Sequence, residues 1–331
     1  MKKFLLALSI VLFLGVLSAC SGDEDASETE NEEEEPVTEE DQNSEEAVEE
    51  EEEEESGEGN GGFLWKVESE SGDTEMYLQG TIHLGNDDFY PLDPAIEDAY
   101  DRADVVMPEV NLLEEMPSQE EMMAYATYKD DTTLEEELPE DTYADLASIL
   151  EENGLELETM NEFQPWFVEM MLLEFVTMES EVDSQSAVDL YFLEKATEDE
   201  KEIVSLESAE EQFEVLSGYS METQIQTLEA AIDGYEDAPE EMEALAEAWL
   251  EGDMEAMEDL SNEDAETEIN AEYMEELNDN RNIDMANSLD DILQEDSGEA
   301  YFVFVGTAHF TVEPSIVTEL EDKGYEVEHV Y

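Results

Sequence analysis

The chain contains three histidines, and two of them close the same tetrapeptide frame, Gly80-Thr81-Ile82-His83 and Gly306-Thr307-Ala308-His309. An imidazole either binds a divalent metal or exchanges a proton near neutrality, and a glycine three residues earlier lets the backbone turn tightly. A carboxylate arrives in a comparable setting, since Glu109 ends the run Asp104-Val105-Val106-Met107-Pro108. Two imidazoles and one carboxylate are a common donor set for an open metal site. The competing reading is structural, with two hydrogen-bonded histidines tying strand ends together and Glu109 one more solvated acid. The repeated frame favours chemistry for His83 and His309, and His329, in an alternating terminal segment, reads as structural.

Both frames follow apolar runs that read as strands, Met76–Gly80 and Tyr301–Val305. Phe63–Val67 reads as a strand joined to the first across Ser71-Gly72-Asp73. A helix over about 94–102 and a strand ending at Pro108 continue the unit. The stretch from about 117 to 297 reads as amphipathic helices over 141–153, 163–178, 184–198, 209–231, 239–251 and, with breaks, 265–296. One short apolar run, Glu202–Leu206, interrupts them as a further strand. Asn153-Gly154 and Gly252-Asp253 read as helix ends, and a helix over 313–323 and a strand over 325–331 close the chain. The predicted class is α/β, a central and mostly parallel sheet built from the two ends of the chain around a large helical middle. In such sheets the functional crevice lies beyond the carboxyl ends of the strands, where both histidines fall.

The chain has 100 Asp and Glu against 9 Lys and Arg, a formal net charge of −91. So little cationic surface excludes nucleic-acid binding driven by phosphate neutralisation. A 40% hydrophobic content, with 12 Phe, 13 Tyr and 3 Trp, is too apolar for a wholly disordered chain. Residues 21–60 hold 22 of the acids and no base, and Lys2 and Lys3 precede them, so 61–331 carries 78 acids against 7 bases. Repulsion on that scale is relieved by salt, whose screening length falls to about 3 Å near ~1 M. Because the acids are spread along every segment, they read as a halophilic surface rather than one face for a basic partner.

Lys2 and Lys3 precede an apolar stretch, Phe4–Val16, and then Leu17-Ser18-Ala19-Cys20, the order of an export signal. That stretch is shorter than the roughly 20 residues a membrane span needs. Leu-Ser-Ala-Cys resembles the bacterial lipobox, which implies cleavage before Cys20 and lipid on its thiol and amine. Cys20 is the only cysteine, so no disulfide within the chain and no cysteine-ligated metal site can form. The expected organisation is a lipoprotein signal at 1–20, a disordered acidic tether at 21–60 and an α/β domain at 61–331, held at the extracytoplasmic face of the cell membrane.

Several pieces taken in order resemble the TraB/GumN family, which is related to the TIKI membrane metalloproteases. They are Gly80–His83, the strand from Ala103 ending at Glu109, Pro165-Trp166, Asp183, Leu206-Glu207, Arg281-Asn282, Val305–His309 and Leu320–Tyr325. The resemblance implies an α/β fold shared distantly with erythromycin esterases and ChaN-like haem-binding lipoproteins. For the TIKI branch it implies peptidase activity with a divalent ion such as Mn2+ or Co2+, and Zn2+ suits the same donors. It also implies that His83, His309 and Glu109 form the active site and would hold the ion, with Arg281 a partner for an oxyanion or a substrate carboxylate. Glu207 and Asp183 sit at element edges, where capping is the ordinary explanation.

The leading expectation is a metal-dependent hydrolase of a peptide or small acyl substrate. In a metal-free variant one histidine is the general base on water, the other orients it, and Arg281 stabilises the oxyanion. The rival is a non-catalytic lipoprotein that holds a metal, haem or peptide at the same strand ends.

Overall fold

The structure, a computed structural model, describes residues 60–265 and 271–331. The signal, Cys20 and the acidic tether lie outside the described residues. Six strands form one sheet: β1 (Phe63–Glu68), β2 (Glu75–Thr81), β3 (Val105–Pro108), β4 (Glu202–Ile203), β5 (Ala300–Gly306) and β6 (Val327–His329). Their order is β4-β3-β5-β2-β1-β6. β2, β5, β3 and β4 run parallel, while β1 pairs antiparallel with both β2 and β6.

β5 lies between β2 and β3, so the last third of the chain completes a sheet begun by the first. It reads Ala-Tyr-Phe-Val-Phe-Val-Gly and is almost wholly buried, the near-continuous apolar run expected of a parallel strand covered on both faces. The helix Pro94–Arg102 connects β2 to β3. Asp93 caps it by accepting the Ala95 N–H, and Pro94 stands where its missing N–H costs nothing. With β2, β3 and β5 parallel and adjacent, their carboxyl ends share one edge of the sheet. That edge carries Thr81, Pro108 and Gly306, each one to three residues from a predicted site residue.

The helical middle forms as expected, with shifts that have local causes. The single helix predicted over 209–231 is two, Ala209–Gly218 and Met221–Gly234, because Ser220 caps the second by accepting the Thr223 N–H. Ser208 and Glu211 form a reciprocal cap at the start of the first. Pro165–Glu179 is buried nearly all round, which is why its pattern lacks a clear polar face. The predicted strand over 202–206 is hydrogen-bonded as β4 only over its first two residues, but Val204, Leu206 and Glu207 still donate to Val106, Pro108 and Glu109 carbonyls. The helix predicted over 313–323 starts at Ile316, capped by Ser315, with a short turn of helix over Ala308–Thr311 before it. Asn153 and Gly154 end a helix as predicted, Gly154 taking a left-handed φ of 76°. No helix among the described residues is long and apolar enough to cross a membrane.

Candidate functional site

The two Gly-Thr-x-His frames are locked to each other. In the β2–β5 register Gly80 faces Val305 and Thr81 faces Gly306. Thr307 donates both its backbone N–H and its hydroxyl to the Thr81 carbonyl, each at 2.9 Å. Gly80 is needed for that approach, since a Cβ there would lie 2.8 Å from Thr307 Oγ1 and 3.3 Å from Thr307 Cα. The threonine in the second frame is therefore the clasp between the frames.

Gly306 marks where the functional groups meet. A Cβ on it would lie 3.4 Å from His83 Nε2, 3.7 Å from His309 Cδ2 and 3.8 Å from Glu109 Oε2. Glu109 Oε2 accepts the Gly306 N–H at 3.2 Å and lies 3.8 Å from His309 Nε2. The structure thus brings His83, His309 and Glu109, some 226 residues apart at the extremes, around one position.

Each histidine is held from behind. Asn282, on the helix Asn280–Glu295, donates its amide to Pro314 O at 2.7 Å and to Asn278 Oδ1 at 3.2 Å. Its Oδ1 is therefore the acceptor 2.5 Å from His309 Nδ1, which must carry the proton, leaving the Nε2 lone pair facing Glu109. Burial, aided by the Arg281 charge, pushes His309 down to about 3 despite the nearby Glu109, so this ring is neutral. His83 Nδ1 lies 3.1 Å from Asp189 Oδ1, out of line for a hydrogen bond, so the pairing is electrostatic. Burial pulls the His83 pKa down, but the Asp189 carboxylate and then Glu109 outweigh it and the net shift is upward.

Arg281 is the clamp on the acids. Its Nε and terminal nitrogen hold Glu207 at 2.6–3.0 Å, the same terminal nitrogen reaches Glu109 Oε1 at 2.5 Å, and the other donates to Leu277 O at 3.0 Å. Gln212 Nε2 bridges the same two carboxylates, at 2.8 Å from Glu109 and 3.1 Å from Glu207. Burial alone would raise the Glu109 pKa, yet Arg281 first, with the two imidazoles and the Gly306 N–H, holds it well below the usual carboxylate range. Since His309 is neutral, Arg281 is the charge that matters. The side chains of Arg281, Glu109 and His309 are 5–7% exposed, whereas His83 and Glu207 are each 13% exposed, so access comes past these two.

The other sequence candidates separate cleanly. Glu207, read as an edge cap, belongs to the site. Asp183 is structural: its Oδ1 accepts the Ser186 N–H at 2.7 Å and its backbone pairs with Gly85. His329 pairs with Trp65 at the sheet edge, their rings 5.3 Å apart, and is not among the side chains that meet at Gly306. Asp189 and Gln212 escaped the sequence reading. Asp189 is one of 100 acids and nothing in the linear pattern singles it out, while Asn282 carried a signal through its neighbour Arg281.

The model of the TraB/PrgY/gumN family matches residues 63–329, most of the chain and all of the site. The chain belongs to this family. The match spans both frames and the strands β2 and β5 that join them. No curated protein and no solved structure matches the chain.

Proposed function

We propose that this TraB/PrgY/gumN protein is a hydrolase of peptide or related acyl bonds, anchored through lipidated Cys20 at the extracytoplasmic face of the membrane. The observation that carries the catalytic part is the convergence of His83 Nε2, the His309 ring and Glu109 Oε2 on the space a Cβ of Gly306 would fill, with His309 Nε2 3.8 Å from Glu109 Oε2. Both imidazoles have Nδ1 turned to a rear partner and Nε2 turned inward, the arrangement that fixes a histidine as ligand or base. The anchoring part rests on the sequence of residues 1–20.

The donor set fits a divalent ion in type. Its spacing is slightly open: His309 Nε2 and Glu109 Oε2 are 3.8 Å apart, against about 3.4 Å for two ligands at ~2.1 Å in a tetrahedron. Accordingly no three His, Cys, Asp or Glu among the described residues are drawn together as ligands. His83, His309 and Glu109 would hold Mn2+, Co2+ or Zn2+, which supplies a water acidified towards neutrality and a Lewis acid for the carbonyl. Asn282 keeps the His309 lone pair aimed inward, and Asp189 keeps His83 basic. Arg281 keeps Glu109 ionised and in place; its bonds to two carboxylates support a positioning role over that of an oxyanion donor. Burial of the centre keeps bulk water from competing for these groups.

Elemental analysis tests this reading on the full chain in ~2 M KCl, a concentration chosen to screen the acidic surface. After dialysis against Mn2+, Co2+ or Zn2+, the expected result is near one ion per wild-type chain, lost in the His83→Ala/His309→Ala variant, together with ion-dependent hydrolysis of peptides. Equal occupancy in the two proteins, or one site without hydrolysis, would replace the hydrolase with surface ion collection or a binding lipoprotein.

A further inference from the structure

Besides the facing His83 Nδ1 and Asp189 Oδ1, two buried polar atoms at the site have no hydrogen-bond partner. Gln212 is 4% exposed, and its Oε1 accepts no hydrogen bond. Its orientation is not free: Nε2 is the atom that can donate to both Glu109 and Glu207, so Oε1 has to be the free end. A side chain pinned between two carboxylates therefore presents one uncompensated carbonyl oxygen next to Glu109. The second atom is Thr81 Oγ1, also buried and without a partner. Thr81 stands opposite Gly306 across β2 and β5, so its side chain leaves the sheet on the face where His83, His309 and Glu109 meet around Gly306.

Buried polar atoms in folded proteins are almost always satisfied, and one left bare at a functional centre calls for a group that arrives with the ligand. Gln212 Oε1 is only an acceptor, so the group it lacks is a donor. Around it stand further oxygen atoms of Glu109 and Glu207, so a ligand N–H finds acceptors there that an ester oxygen cannot use. The Thr81 hydroxyl can donate to a carbonyl.

We propose that Gln212 is a specificity-determining residue that accepts the N–H of an amide substrate, making the site selective for amides over the matching esters. The inference rests on the hydrolase reading for its chemistry but on Gln212 for its selectivity. A site built around a substrate N–H rejects the analogue lacking it because the buried acceptor is then left bare.

The test measures binding and turnover separately. A pool of N-acetylated tetrapeptides and the pool of depsipeptides with the same side chains and one backbone NH replaced by oxygen are titrated calorimetrically into the full chain, with Mn2+, and hydrolysis is followed by mass spectrometry. The expected result is that amides bind roughly 10- to 100-fold more tightly than esters. In Gln212→Met that ratio falls towards one. Loss of the carboxylate bridge alone would weaken both pools alike and leave the ratio unmoved, so the ratio reports recognition rather than damage. Equal affinities in the wild type, or an unchanged ratio in Gln212→Met, overturn the proposal while leaving the hydrolase reading intact. A preserved ratio change with no hydrolysis of either pool sinks the hydrolase and upholds Gln212 as an amide reader. Binding of neither pool overturns both.

Discussion

His83 and His309 end the same tetrapeptide frame on neighbouring parallel strands, yet the protein gives them opposite surroundings. His83 has a carboxylate behind it, Asp189, and its pKa is raised; His309 has a carboxamide, Asn282, and its pKa is driven down to about 3. The repeat sets position, because identical strand ends deliver two rings to one point. Protonation is set by what surrounds each ring: the Asp189 carboxylate, on the helix Val188–Glu198, raises His83, while burial, aided by the charge of Arg281 on the helix Asn280–Glu295, lowers His309. A duplicated motif thus carries a division of labour that neither copy encodes.

The same contrast extends to two buried carboxyls. Glu109 has Arg281 beside it and stays ionised, whereas Glu169 is buried with only the Thr227 hydroxyl at 2.6 Å and is pushed up to about 7 by desolvation. Burial is shared, and the cation decides.

The strongest way to break the comparison is Arg281→Leu. Removing the guanidinium leaves Glu109 and Glu207 buried without a counter-charge, and denaturant unfolding at fixed KCl is expected to show a loss of about 3–5 kcal/mol. Adding Glu109→Gln and Glu207→Gln in the same chain should recover much of it. Next in size is Glu169→Gln. The folded pKa of Glu169 lies above its ordinary 4.5, so its cost is absent below that value, grows as pH rises, and is complete above about 7. The variant should gain roughly 3 kcal/mol at pH 8 and almost nothing at pH 4. A gain equal at both pH values would mean that burial does not raise the Glu169 pKa above its ordinary value.

Exchanging the rear partners sharpens the histidine contrast itself. Asp189→Asn should lower the His83 pKa, and Asn282→Asp should raise that of His309, each with a matching change in pH-dependent stability. The signs differ in the wild type. The raised His83 contributes stability in full below its unfolded pKa near 6.5, and this is lost as pH rises through the folded value. The depressed His309 takes stability away as pH falls from 6.5 towards 3. The smallest effect on folding belongs to Gly306→Ala, within about 1 kcal/mol, since its φ is ordinary and its Cβ contacts are tolerable. That methyl would occupy the point of convergence, so metal or substrate binding should fall far more than stability does.

Much of this arrangement was legible in the sequence. Apolar runs, helix caps and the repeated frame located β2, β3 and β5, and the frame picked out His83 and His309 although 226 residues separate them. Glu109 was legible because a strand led to it, and Arg281 because bases are scarce. The sheet order was not, since β5 inserts between β2 and β3 through pairing no local pattern records. Asp189 and Gln212 were hidden for another reason: an acid among 100 acids and a glutamine on an amphipathic helix acquire meaning only from what they face. Glu207 looked like a cap until Arg281 was seen to hold it.

The most direct test of the central claim is a histidine-selective 15N NMR titration of the full chain, with three rings to resolve and His329→Gln to assign one of them. One ring should stay neutral with its proton on Nδ1 from pH 8 to pH 4, and be assigned to His309, while the His83 ring gains its proton above pH 6.5. Two rings titrating together near the ordinary value of 6.5 would contradict the account, because neither the Asp189 carboxylate nor burial beside Arg281 would then set the two histidines apart.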